Sequence, residues 1–577
     1  MTVSNLSPHR YPRIVRWAVD WLWRVEHAFE RAKASGRPED DARIRILLVL
    51  AFFAVLFGLI AGGAVFSAAF SGAGKHHGVM SLPATAKADL VDRNGELLAV
   101  NLVHYSLFLD PADVWNRSET RKALLSRTPG LKASKFNEVM DGRKRRVLVE
   151  GLTPDVRQSI HELGLPGVTF EESPRRIYPM GPLAAHLIGF ADPWGKGIQG
   201  AERGLQEQLR DGYVSNEPVV LSIDVRVQAA LEEELAGAVA EFHPKAAVGL
   251  ITNIHTGEII AMASLPEFDP NRASKYSEDE RKNRASAQLF EMGSTFKAFT
   301  VAIGLDTGVA GMDSTYDART PLKMGYRTIH DYHGTKRILT LGEVFNHSSN
   351  IGTAKLALGI GVDRLKSYYD ALGLTRRPRL ELFETASPLT PRDWNDDALA
   401  SVSFGHGINV TPLALAQAMG CLLNGGTMVP LTILKRPMGY QGEAQRVVSE
   451  DTSRAMLRIM RGNVVEGTGR KADAIGLSVG GKTGTGEKYD PAIKAYSNTR
   501  QVASFAAVFP TDGPLETPRY FVLILLDEPT GGARTGGLVA APAVGRVIDR
   551  SARFLGVPRQ MQRPEFDIAA VRGRPAL

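Results

Sequence analysis

The spacing of apolar residues changes along the chain. Residues 46–70 carry no charge over about 25 positions, enough to cross a bilayer with some tilt. Arg43 and Arg45 precede this run in an arginine-rich tail, a flank that places the N-terminus in the cytoplasm. The run is too long for the core of a cleaved signal peptide, and it starts too far from Met1. A single-pass anchor is therefore expected, with the remainder of the chain across the membrane. Within the tail, Ile14, Trp17, Trp21 and Val25 recur at three- and four-residue steps among Arg13, Arg16 and Arg24. Two readings of that pattern stand: a helix lying on the inner leaflet, and a tail that only sets topology.

Beyond the span, residues 82–219 mix short strand patterns (88–91, 97–100, 105–109) around an Asn94-Gly95 hairpin signal. Helical patterns follow near 121–125 and 153–163. No catalytic constellation falls here, so the region reads as a spacer or docking module. From Leu221 the character changes. A helix is predicted over 225–242, then strands over 247–254 and 258–263 joined by His255-Thr256-Gly257. Two more apolar strands, 502–508 and 520–526, precede a closing helix near 541–554. Strands at both ends of a long helical middle predict a mixed α/β fold, with an antiparallel sheet flanked by helices and a helical lobe inserted into it. The Pro/Arg-rich stretch after Pro558 is expected to be loose. The organisation is then a cytoplasmic tail (1–45), a transmembrane helix (46–70), a non-catalytic pedestal (71–220), a catalytic domain (221–557) and a C-terminal tail (558–577).

Composition narrows the function. A net charge of +7 and a pI near 9.3 raise nucleic acid as a partner. The basic residues are dispersed, however, with no aromatic-interleaved stripe and no Cys/His finger, so that class is set aside. An anionic envelope surface accounts for the charge. Cys421 is the single cysteine, which excludes an intrachain disulfide and a cysteine metal cluster. Lying in an apolar run, it reads as buried and inert.

The chemistry rests on three polar motifs: Ser294-Thr295-Phe296-Lys297, Ser348-Ser349-Asn350 and Lys482-Thr483-Gly484-Thr485. Any one of them has an ordinary structural explanation, as a capped helix or a glycine-rich hairpin. In this order, on these predicted elements, they are the parts of a serine acyltransferase that uses lysine as its proton-handling group. Ser294 falls at a helix start, where free N–H groups and the positive dipole end favour an oxyanion. Lys297 lies one turn on, on the same face. A lysine acts as base only when neutral, so its ordinary pKa of ~10.4 has to fall by about 3, at a cost of roughly 4 kcal/mol. Burial and a second cation, Lys482, would supply that. Strand alternation puts Thr483 and Thr485 on one face, with hydroxyls for a substrate carboxylate. Lys482 and Gly484 fall on the other, and the bare Gly484 lets the nucleophile's helix pack close. Ser348 is placed to relay a proton to a leaving amine and Asn350 to hold an amide backbone. His330 and His333 flank Asp331 at ligand-like spacing, but without a third or fourth ligand they read as structural, and neither metal nor cofactor is expected. His347 reads as a surface histidine.

With these residues in place, the chain resembles the class B penicillin-binding proteins, membrane-anchored D,D-transpeptidases that cross-link peptidoglycan, and the resemblance implies five strands in the antiparallel sheet. Val91-Asp92-Arg93-Asn94-Gly95, Arg176-Ile177-Tyr178-Pro179 and Gly200-Ala201-Glu202 are similar to boxes of their non-catalytic pedestal, or dimerisation, domain. Thr256 through Met262, followed by Asp269-Pro270-Asn271, is similar to the start of their catalytic domain. Lys87-Ala88 stands where the family usually shows Arg-Gly, and Met292 where Pro often precedes the Gly-Ser. Asn350 in the second motif, together with Ser403-Phe404-Gly405-His406-Gly407 and Val410-Thr411-Pro412, resembles the septal (FtsI-type) branch rather than the elongation branch. The resemblance implies Ser294 as the acylated nucleophile, Lys297 as its base, Ser348, Asn350 and Lys482 as the remaining catalytic groups, and Thr483, Gly484 and Thr485 as substrate-binding residues. The backbone N–H groups of Ser294 and Thr485 would form the oxyanion hole. It further implies D-Ala-D-Ala stem peptides as donor, an amine acceptor, covalent reaction with β-lactams, a septal FtsW-type glycosyltransferase and other division membrane proteins as partners, and an inner-membrane location with the catalytic domain in the periplasm. A side-wall transpeptidase is the alternative within the family. A β-lactamase would need a Glu-x-x-Leu-Asn that 350–482 lacks. A non-catalytic β-lactam sensor or division scaffold would show a missing catalytic side chain or a signalling domain.

Overall fold

The computed structural model describes residues 13–36, 38–70, 87–325, 327–332, 334–437, 439–440, 445–490, 495–560 and 566–572. His333, half of the histidine pair weighed above, lies outside them. Met1–Leu82 and Pro83–Leu577 are two separate units.

In the first unit, helices span Arg13–Ser35 and Pro38–Phe70, 23 and 33 residues long. The first carries the tryptophan and arginine periodicity, and its Trp21 and Trp23 are exposed. The second contains the uncharged run. Among the described residues no helix is long and apolar enough to cross a membrane, and the side chains of 63–70 are not among them.

The second unit begins with the predicted hairpin. Leu90–Val91 and Leu97–Leu102 pair antiparallel. The turn between them has Gly95 at φ +95°, and Asp92 Oδ1 accepts from the N–H groups of Asn94 and Glu96 at 2.7 and 2.9 Å. Arg175–Ile177 and Val219–Val220 complete a four-stranded sheet. A second sheet of Arg146–Leu152, Tyr105–Leu109 and Val168–Glu172 encloses a core around Leu107, Leu124, Phe136 and Leu148. The two predicted helices are Arg117–Arg127 and Pro154–His161, capped by the side chains of Asn116 and Thr153. Lys87, standing where the family shows arginine, keeps the pairing: its Nζ donates to Glu202 Oε2 at 2.7 Å, and Arg176 Nε donates to Oε1 at 2.7 Å. One core runs from Leu90, Leu98 and Leu205 to Met262 and Met419.

The later portion is built on five antiparallel strands: β1 (Ala246–Asn253), β2 (Ile259–Leu265), β3 (Gly480–Asp490), β4 (Ala495–Phe509) and β5 (Tyr520–Asp527). Their order is β2-β1-β5-β4-β3, which leaves β3 at one edge. Both faces are covered, so alternate residues of one strand enter different cores. On one face Ile251, Ile260, Val522 and Ile524 pack on α1 (Val225–Phe242) through Leu231 and Leu235. Val248, Leu250, Leu523 and Leu525 face the inserted lobe. That lobe contains α2 (Lys297–Asp306), α3 (Leu341–Asn346), α4 (Asn350–Ile360), α5 (Pro412–Leu423) and α6 (Glu450–Val465). Cys421 is buried in α5. The closing helix α7 covers Ala541–Ser551 and joins the α1 face.

The C-terminal stretch differs from expectation. Val571 is buried, and its backbone and side chain lie so close to Gly342 of α3 and Gly462 of α6 that a Cβ there would sit 2.0 and 2.9 Å from Val571 atoms. Arg572 pairs with Glu466 at 2.8 Å. Proline and arginine content concealed an apolar anchor that docks beneath the second motif.

Candidate active site

Ser294 sits in a 3-10 turn, Gly293–Phe296, that runs directly into α2. The turn lies against edge strand β3. Gly293 adopts φ +54°, and a Cβ on it would fall 2.3 Å from the Thr485 carbonyl oxygen. Only glycine fits that combination of backbone angle and space. From the strand's side, a Cβ on Gly484 would fall 2.2 Å from Ser504 Oγ and 2.7 Å from the Met292 carbonyl. The bare strand position therefore sets how close the Ser294 turn comes to β3. Replacing Gly484 by alanine is expected to cost about 1–3 kcal/mol in overpacking and to slow acylation of Ser294 about a hundredfold. Labelling time courses with a fluorescent penicillin check this, and a wild-type rate would contradict it.

The second motif completes the cleft. Ser348 takes φ +57°, an unusual left-handed conformation for a non-glycine residue, held by its neighbours. Ser349, not Ser348, caps α4, its Oγ accepting from Gly352 N–H at 3.0 Å. Ser349 Oγ in turn donates to Asp331 Oδ2 at 2.8 Å, while Asp331 Oδ1 accepts from Ile351 N–H at 3.0 Å. Asn350 Nδ2 donates to the His330 carbonyl at 3.0 Å. The His330–Asp331 segment is therefore the clamp of the Ser-Ser-Asn turn.

Two lysines converge on Ser348. Lys297 Nζ donates to the Ser348 carbonyl and lies 3.0 Å from Ser348 Oγ, and Lys482 Nζ is also 3.0 Å from that oxygen. No hydrogen bond joins Lys297 to Ser294 in this resting arrangement of the described residues. Both lysines are fully buried, and Lys482 lies 5.6 Å from the Phe345 ring centre. Burial pulls the Lys482 amine down to about 7. Burial, then the neighbouring Lys482 charge, holds Lys297 well below the usual lysine range, with Asp331 pulling weakly the other way. His406 is drawn down to about 4 by burial and by the charge of Lys297. Burial and the neighbouring cation thus both favour the neutral, proton-accepting form of Lys297.

The third motif follows its predicted alternation, with one difference. Thr485 is half-buried, its hydroxyl accepting from Gly536 N–H at 3.4 Å. Thr483 is buried, and its hydroxyl is already engaged, 2.9 Å from Thr468 Oγ1 and 3.2 Å from Lys482 Nζ. Three further residues went unread in the sequence. Glu291 Oε1 accepts from Tyr496 OH at 2.9 Å and Gly407 N–H at 3.1 Å, bracing the chain just before the nucleophile turn. Asn463 and Thr468 pin β3 from behind. Asn463 did leave a signal: it falls on the buried stripe of α6 with Met456, Ile459 and Met460, and a polar residue there needs a partner.

Residues 247–549, which hold every site residue named above, match the family described as the penicillin binding protein transpeptidase domain. The chain belongs to the penicillin-binding transpeptidases. Residues 85–237 match the penicillin-binding protein dimerisation domain, and this pairing of domains marks it as a class B penicillin-binding protein. It is 59% identical over 572 residues to the probable peptidoglycan D,D-transpeptidase FtsI of Caulobacter vibrioides, with 97% of each chain covered. It is 30% identical to the peptidoglycan D,D-transpeptidase FtsI of Escherichia coli K12, covering 82% of this chain and 84% of that one. In fold, this penicillin-binding protein is similar to penicillin binding protein 3 of Mycobacterium tuberculosis, solved with aztreonam, at a TM-score of 0.64 and 24% identity over 82% of this chain and 97% of that one.

Proposed function

We propose that this chain is the septal peptidoglycan D,D-transpeptidase of its cell, cross-linking stem peptides through an acyl-enzyme on Ser294. The observation that carries the reading is the convergence of two buried lysines on Ser348 Oγ beside a half-buried Ser294. Ser294 Oγ attacks the penultimate D-alanyl carbonyl as its proton passes to neutral Lys297. The oxyanion is met by backbone N–H groups of Ser294 and Thr485. Ser348 relays a proton to the departing D-alanine nitrogen, and the C–N bond breaks. Thr485 holds the terminal carboxylate, with Thr483 and Gly484 shaping that edge, Lys482 holds Ser348 in place, and Asn350 holds the donor's amide backbone. An amine of a neighbouring stem peptide then takes the acyl group and restores Ser294. The same approach opens a β-lactam ring, whose product stays on the serine.

The uncharged run at 46–70, with basic residues before it, supports a single inner-membrane span, a cytoplasmic N-terminus and a periplasmic catalytic domain. A septal FtsW-type glycosyltransferase and other division membrane proteins are the partners this reading implies. Mass mapping tests the chemistry: penicillin-treated protein should yield one acylated peptide, modified at Ser294. Label on another residue, or none on folded protein, overturns the assignment. A fluorescent fusion should gather at midcell in growing cells, and uniform side-wall signal would favour the elongation role.

A further inference from the structure

Behind the third motif lies a hydrogen-bond chain whose direction is fixed at one end. Asn463 is fully buried on α6. Its Nδ2 donates to the Gly481 carbonyl at 2.8 Å. Its Oδ1 accepts from the Thr468 N–H at 3.1 Å and lies 3.2 Å from Thr468 Oγ1. The Gly481 carbonyl needs a donor and the Thr468 N–H needs an acceptor, and both fix the same amide orientation, with Nδ2 toward Gly481 and Oδ1 toward Thr468. A hydroxyl has one proton. The Thr468 proton is therefore committed to Asn463, and Thr468 Oγ1 must accept at 2.9 Å from Thr483 Oγ1. With its own proton spent, Thr483 Oγ1 can only accept from Lys482 Nζ at 3.2 Å. The remaining acceptors around Lys482 are Ser348 Oγ at 3.0 Å and the Thr483 carbonyl at 3.3 Å. Three acceptors meet the three donors of an ammonium.

We infer that Asn463 and Thr468 are positioning residues of the transpeptidase, holding the Lys482 amino group as a three-fold donor aimed at Ser348 through the one-way chain Asn463–Thr468–Thr483–Lys482. The inference rests on the function proposed above. Gly467 and Gly469 support it independently. A Cβ on Gly467 would fall 2.2 Å from Asn463 Oδ1, and one on Gly469 3.1 Å from Asn463 Nδ2, so the loop carrying Thr468 is wrapped tightly on that amide. An aliphatic residue at 468 would leave Thr483 free to rotate and Lys482 one acceptor short.

The test uses the full chain in detergent and separates the dissociation constant of a fluorescent penicillin from the acylation rate constant. Thr468→Val should lower the rate constant about tenfold while the dissociation constant stays within about twofold. Thr468→Ser, which keeps the hydroxyl, should stay within about threefold of wild type on both. A Val variant that acylates at the wild-type rate overturns the inference, as does a Ser variant as slow as Val, or a loss confined to the dissociation constant. If Thr468→Val shows no cooperative thermal transition, Thr468→Ala carries the same expectation, and a second failure to fold means the hydroxyl serves stability instead. Wild-type protein that takes no label sinks the proposed function. A labelled wild type with indifferent Thr468 variants sinks this inference alone.

Discussion

Acylation of Ser294 should slow by about 10²–10⁴-fold when Lys297 is replaced by alanine, the range a positioned general base supplies. The site shows Lys297 prepared for that role and for little else. It is fully buried, it has a second cation in Lys482 across Ser348 Oγ, and it forms no ion pair among the described residues that would keep it charged. Burial and the Lys482 charge both favour the neutral amine, with Asp331 opposing them weakly. The sign of the pH dependence follows. Below its own lowered pKa Lys297 carries a proton and cannot accept another, so wild-type acylation should rise with pH through that value and then level off. Lys297→Ala should lose this limb along with the rate. Rates of labelling by a fluorescent penicillin as a function of pH measure both. A variant that keeps the wild-type rate, or keeps the limb, removes the lysine from the mechanism.

The candidate site's side chains stood out in the sequence because the chemistry expected of them fixes residue types at short spacings. Ser294 and Lys297 must lie one helical turn apart, and Gly484 must be bare where the turn of Gly293 meets the strand. The sheet was legible for a different reason. β1 and β5 are covered on both faces, so they appear as continuous apolar runs that need no alternation. Partners brought together only by folding left weaker traces. Asp331 clamps Ser349 from 18 positions away, and no local rule links a loop aspartate to that turn. Thr468 and Thr483 meet across a loop. Strand alternation separated Thr483 from Lys482 correctly, but a lysine side chain is long enough to return its amine to the neighbouring hydroxyl. The C-terminal anchor failed for the opposite reason: composition argued for looseness, and apolar residues outweighed it, Phe566 packing on the core and Val571 filling the space beside two glycines.

Away from the site, Glu202→Ala should destabilise the folded chain by about 3–5 kcal/mol, the cost of leaving buried charge without its counter-ion. Glu202 is wholly buried and receives both Lys87 Nζ and Arg176 Nε at 2.7 Å, and Lys87 Nζ also lies 3.2 Å from its carbonyl. Burial alone would raise its pKa, but Arg176 and Lys87 outweigh burial and hold the carboxyl below its ordinary value. For Lys87 the balance runs the other way, with burial drawing the amine down against the pull of Glu202. Removing the carboxylate strands two cations whose side chains are only 1% and 5% exposed, whereas Glu202→Gln keeps the shape and loses only the charge, so its penalty should be smaller. A carboxylate with a lowered folded pKa contributes stability above its unfolded value of ~4.3 and loses it as pH falls through the folded one. The gap between wild type and Glu202→Gln in urea unfolding should therefore be widest near neutrality and close in acid, below about pH 4. The catalytic cleft is built from other residues, so the folded fraction of either variant should acylate at the wild-type rate. Equal midpoints for wild type and Glu202→Ala at neutral pH would show that the pedestal does not depend on this triad. A slowed acylation rate in fully folded protein would show instead that the triad's influence reaches the catalytic cleft.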